Sequence, residues 1–159
     1  MHPLRQPVVH AIRFAALLAC AAAPGDTVYV SDAYPYDLPF YAQTSKPLVV
    51  LENWPLLRKQ VGDGWQRELF EGANFDAQAA QVLQSIDVLA DAAQTPGNWF
   101  VVRAGNPVAQ NLSGWGLFYK GAGWDLYRSG GLGADISAAK SPEPAEHKGL
   151  PGCKDQRHK

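Results

Sequence analysis

The chain has 159 residues and a mass of 17.2 kDa, enough for one domain with its own core and too little for two. Apolar residues make up 47% and charged residues 18%, which excludes a chain disordered throughout. Fourteen basic and fifteen acidic side chains leave a net charge of −1, a near-balance that gives no electrostatic argument for nucleic acid and no polybasic membrane patch.

No stretch approaches the roughly 18–20 consecutive apolar residues needed to span a bilayer. Pro7, Val8, Val9, Ile12, Ala16 and Leu17 lie along one helical face, which predicts an amphipathic helix within residues 1–23. Ala23-Pro24-Gly25-Asp26 stops it and turns the chain. The alternative is a secretory signal, since Arg5, His10 and Arg13 precede the apolar run FAALLACAAA and Cys20 follows Leu17-Leu18-Ala19.

Thr27–Val30 is β-branched and aromatic and reads as a first strand. Tyr34–Tyr41, YPYDLPFY, is interrupted by Pro35 and Pro39, which rules out a regular strand interior or a long helix. Leu48–Leu51 has the unbroken apolar character of a strand buried on both faces, and the aromatic segment is the connector of a parallel pair. Trp54–Asp63 reads as loop with a helical turn, and Gly64–Phe70 as a short helix. Asp76 caps a further helix in which Ala79, Ala80, Leu83 and Ile86 recur at helical steps, and Val88–Ala93 continues it or forms a second turn. Trp99–Val102 is a third buried strand. Trp115–Tyr119 and Trp124–Arg128, joined by Lys120-Gly121-Ala122-Gly123, form an antiparallel hairpin. Residues 130–159 are poor in large apolar groups and read as a disordered tail to a single domain over 1–129. The fold expected is a small α/β domain, three-layered in character, with a short mostly parallel sheet of three core strands, flanking helices and a C-terminal β-hairpin.

Few residues offer chemistry. The histidines are His2, His10, His147 and His158, all terminal, so a Ser-His-Asp triad around Ser113 lacks a base in the core, and Asn111-Leu112-Ser113-Gly114 is not a nucleophile elbow. His147, Cys153 and His158 lack a second thiolate for a metal site. Gly130-Gly131-Leu132-Gly133 departs from the dinucleotide fingerprint at Ile136, and Asn111-Leu112-Ser113 is a glycosylation triplet of little specificity. Asp32, Tyr34, Tyr36, Asp37, Phe40 and Tyr41 are the one concentrated group. Aromatic faces stack on sugar C–H surfaces and carboxylates accept from hydroxyls, although a tyrosine-rich loop plugging the end of a sheet has the same composition.

In order, Pro24-Gly25-Asp26-Thr27-Val28-Tyr29, Tyr34-x-Tyr36-Asp37-Leu38-Pro39-Phe40-Tyr41, Pro47-Leu48-Val49-Val50, Gly64-Trp65-Gln66-Arg67-Glu68-Leu69 and Trp99–Val102 resemble one family. It is the soluble C-terminal domain of bacterial aminoarabinose and protein mannosyl transferases of the GT-C class, and the likeness covers residues 4–128. The resemblance implies a parent enzyme that transfers sugar from a polyprenyl-phosphate donor at the periplasmic face of the inner membrane. The catalytic carboxylate of such enzymes lies in a loop beside transmembrane helices that have no counterpart here. No catalytic residue is therefore carried over and no cofactor is called for. The implied partners are the transmembrane module of the parent or a membrane glycolipid, and the implied role is to cap that module or shape the acceptor entrance. Two alternatives stand: a secreted or lipid-anchored binding module, and a small stand-alone enzyme on sugars using Asp32 or Asp37.

Overall fold

The computed structural model describes residues 6–32, 34–35, 38–60 and 62–130, with side chains from Phe14 onward other than those of Phe40, Tyr41 and Gln110. The expected tail, the His147, Cys153 and His158 group and the glycine run beyond Gly130 lie outside these residues. A 16-residue helix, α1 (Gln6–Ala21), leads into β1 (Thr27–Ser31). After α2 (Leu38–Ala42) come β2 (Val49–Leu51), α3 (Trp54–Gln60), α4 (Trp65–Ala73) and α5 (Ala77–Gln81). The chain continues through β3 (Leu83–Gln84), α6 (Val88–Ala92), β4 (Asn98–Arg103) and α7 (Pro107–Gln110) to the hairpin β5 (Trp115–Lys120) and β6 (Trp124–Ser129). Among the described residues no helix is long and apolar enough to cross a membrane.

The six strands form one sheet in the order β3-β2-β1-β4-β6-β5. β1 pairs in parallel with β2 and β4, β2 in parallel with β3, and the hairpin adds antiparallel through β6 on β4. The aromatic segment is the β1–β2 crossover, and its regular part is only the five-residue α2, with Pro39 in the first turn where its missing N–H costs nothing.

Side chains alternate across the sheet. Val28, Val30, Val50, Trp99, Val101 and Leu126 face a core completed by Phe14 and Leu18 of α1, Leu38 of α2, Trp54 of α3 and Phe70 of α4. Val49, Leu51, Phe100 and Val102 face a second core closed by Leu89 and Ala92 of α6, Ala109 of α7 and Trp115. The placement of helices follows from chirality. From β1 to β3 the strands are added in one direction, and the chain then reverses to lay β4 on the other side of β1. If every parallel crossover keeps its right hand, that reversal moves the connecting helix to the opposite face, where α6 is found. A register shift between Leu117 and Tyr119 lets the neighbouring Phe118 and Tyr119 both pack on the first core, as a bulge does.

Two segments differ from the sequence expectation. Trp54–Gln60 is a helix rather than loop: Asn53 Oδ1 accepts from Leu56 N at 3.2 Å, and Pro55 suits a first turn. The helix capped by Asp76, whose Oδ1 accepts from Gln78 N at 2.8 Å, ends at Gln81. Leu83 and Gln84 instead pair with Val50 and Leu51, which adds a fourth parallel strand to the three expected. None of the α5 residues is buried, so the helix has no apolar stripe to extend, and edge pairing with β2 satisfies the following backbone.

Each buried indole N–H has an acceptor: Trp54 donates to Val50 O at 3.2 Å and Trp115 to Leu89 O at 2.9 Å. Trp99, fully buried, donates to Asp26 Oδ2 at 2.9 Å, and the same carboxylate oxygen accepts from Ala23 N at 2.8 Å. Asp26 thus ties the end of α1 to β4. Asp26→Ala strands the Trp99 donor and should lower the unfolding free energy by about 1–3 kcal/mol in urea titration, with an unchanged m-value. Asp26→Asn, which keeps an acceptor oxygen, should recover most of that loss.

Candidate functional site at the carboxyl edge of the sheet

The parallel strands bring their carboxyl ends to one edge. Asp32 follows β1, Glu52 follows β2, and Ala104-Gly105-Asn106 follows β4. Asp125, opposite Val102 near the start of antiparallel β6, belongs to the same edge. The strand order reverses between β1 and β4, and outside the carboxyl ends at such a reversal is where open α/β sheets hold their ligands.

Asp32 is exposed and has a φ of 71°, a left-handed conformation that aspartate tolerates better than most residues. Its Oδ2 accepts from Asn106 Nδ2 at 3.1 Å. Asn106 also caps α7, its Oδ1 accepting from Val108 N at 2.9 Å, with Pro107 in the first turn. Gly105, with a φ of 80°, makes the turn and donates its N–H to Asp125 Oδ2 at 3.4 Å. Glu52 is half-buried, and its carboxyl is raised above the usual carboxylate range first by burial and then by the negative charge of Asp32. Beyond Asp32, the ring of half-buried Tyr34 stacks on Trp65 at the start of α4, with centroids 6.5 Å apart and planes at 25°. Burial raises the Tyr34 phenol.

Of the six residues expected from sequence, the structure describes the side chains of two, Asp32 and Tyr34. Tyr36 and Asp37 lie outside the described residues, as do the side chains of Phe40 and Tyr41 within α2. Reading the sequence missed Glu52, Asn106 and Asp125. For Asn106 the Asn-Pro pair was a visible helix-start signal, whereas Glu52 and Asp125 become notable only once strand order is known. Chemically the edge offers carboxylate acceptors, one amide and an aromatic pair, a set suited to hydroxyl-rich groups. Among the described residues no three His, Cys, Asp or Glu side chains come together as a metal site.

No protein-family model and no curated protein sequence matches the chain. Two solved structures share its fold. The crystal structure of ArnT from Cupriavidus metallidurans bound to undecaprenyl phosphate matches with a TM-score of 0.53 and 19% identity, over 76% of this chain and 20% of that one. The apo state of the same protein matches with a TM-score of 0.51 at the same identity and coverage. The chain therefore has the fold of a part of ArnT and spans 20% of its length.

The electrostatics of the edge are open to direct measurement. A carboxyl raised in the folded state favours folding at acid pH, and that contribution is lost as pH rises through its folded value. Glu52→Gln should thus unfold at a higher temperature than the parent at pH 7, and the difference should vanish on acidification below the ordinary carboxylate range. Thermal melts at the two pH values decide it.

Proposed function

We propose that the chain is the extracytoplasmic domain of a GT-C glycosyltransferase that takes its sugar from a polyprenyl-phosphate carrier. In this reading it caps the membrane-embedded module from the periplasmic side and shapes the acceptor entrance, without itself catalysing transfer. The observation that carries the reading is the shared fold with ArnT, a GT-C glycosyltransferase, over 76% of the chain. The sequence adds support from an independent direction, because the family-like segment Tyr34–Tyr41 leaves the sheet directly beside Asp32. That ArnT structure holds undecaprenyl phosphate, which fits a lipid-linked donor for a relative of this domain. The carboxyl edge then presents Asp32, Glu52 and Asn106 to the hydroxyls of a glycolipid head group, with Tyr34 as the aromatic neighbour.

Such a domain acts through contacts, so its loss of function is graded. In a full-length transferase carrying this domain, the double change Tyr36→Ala and Phe40→Ala should lower transfer by about tenfold, the equivalent of one lost contact. The protein should remain folded and membrane-inserted. Transfer at the parental rate in that variant would remove the proposal.

A further inference from the structure

We infer that Asp125 is a positioning residue for the carboxyl-edge site, setting the turn that carries Asn106 and, through Asn106, the placement of Asp32. The inference rests on the reading of this edge as the domain's working surface and names a residue that reading does not contain.

Asp125 is 6% exposed, yet its Oδ1 is buried without a hydrogen-bond partner. Its Oδ2 accepts only the long 3.4 Å contact from Gly105 N. A carboxylate so sparsely served is costly to bury, so stability does not account for it. What it does instead is hold the β4–α7 turn from within. Gly105 N points to Asp125, and the next residue, Asn106, points its Nδ2 to Asp32. The turn is otherwise held by Ala104 N to Gly123 O and Asn106 N to Arg103 O, both at 3.1 Å, and by the Asn106 cap on α7, so among the described residues Asp125 is the side chain that reaches its backbone from β6. One turn therefore joins a buried carboxylate on one side to an exposed carboxylate on the other. Losing the inner anchor lets the turn shift about the α7 cap, and the Asn106 Nδ2 donor to Asp32 shifts with it.

The proton affinity of Glu52 reports this chain of contacts, because Asp32 is the charged neighbour that acts on it. Carboxyl NMR titration of the full chain should show Glu52 protonating less readily, at lower pH, in Asp125→Ala than in the parent. Asp125→Asn controls for the lost charge, since it keeps an acceptor for Gly105, and Glu52 should protonate more readily in it than in Asp125→Ala. Melting of Asp125→Ala should be no worse than that expected for a small cavity. If it fails to fold, Asp125→Val, which restores volume without an acceptor, takes its place. Equal Glu52 titration in the Ala or Val variant and in Asp125→Asn would overturn the inference. The titration does not depend on glycolipid contact, so the expected Glu52 shift in Asp125→Ala alongside unaltered transfer in the Tyr36 and Phe40 variant would remove the functional reading and leave the positioning role standing.

Discussion

Four consecutive side chains of β4, Trp99 to Val102, are wholly shut off from solvent, and much of the remaining architecture answers to that burial. A strand with apolar groups on both faces needs cover on both sides of the sheet. The first face is covered by α1 to α4, and the second by α6, α7 and Trp115. Helices on both faces of a parallel sheet in turn require the strand order to change direction once, because each crossover has the same hand. The reversal falls between β1 and β4, and with it the position where polar residues collect. Trp99 also binds this centre to the amino end of the sheet, since its indole N–H ends on the Asp26 carboxylate that turns the chain out of α1.

At the opposite, carboxyl end the balance of forces is different. Strand backbones terminate there, the connections become irregular, and side chains rather than ladders satisfy the polar groups. Asn106 illustrates the economy of this edge, capping α7 with its oxygen while donating to Asp32 with its nitrogen. Asp32 and Glu52 are close enough for one charge to raise the other's carboxyl, while partial burial contributes the larger part. Like charges left near one another at a switch point reduce stability. The stacked Tyr34 and Trp65 rings add a rigid apolar element between that edge and α4.

The fold of the domain corresponds to 20% of ArnT, and its described residues supply neither a metal cluster nor a membrane-crossing helix. The features its described residues do supply are a hydrogen-bonded polar edge around Asp32 and Asn106 and the stacked pair of Tyr34 and Trp65. Asp125 lies inside that edge, buried on β6 with Gly105 N–H of the turn directed at it.

Strongly patterned segments were legible from sequence alone. Runs such as Val49–Leu51 and Trp99–Val102 are apolar without interruption, and the Pro-Gly-Asp turn, the two prolines of the aromatic segment and the glycines between the last two strands act on their immediate neighbours. The strand order, the fourth parallel strand and the helical state of Trp54–Gln60 were not. Leu83 sits at a helical step from Ala79 and Ala80, and only the open edge of β2 makes the extended form the better way to satisfy its backbone. The same division applies to the site. Asp32 and the tyrosines stood out because they are adjacent in the chain, whereas Glu52, Asn106 and Asp125 reach the edge from separate strands. Local patterns determined which segments became strands and helices, because turn and periodicity energies act over a few residues. Which carboxylates meet was decided by the tertiary structure alone, because it depends on the order in which the strands pair.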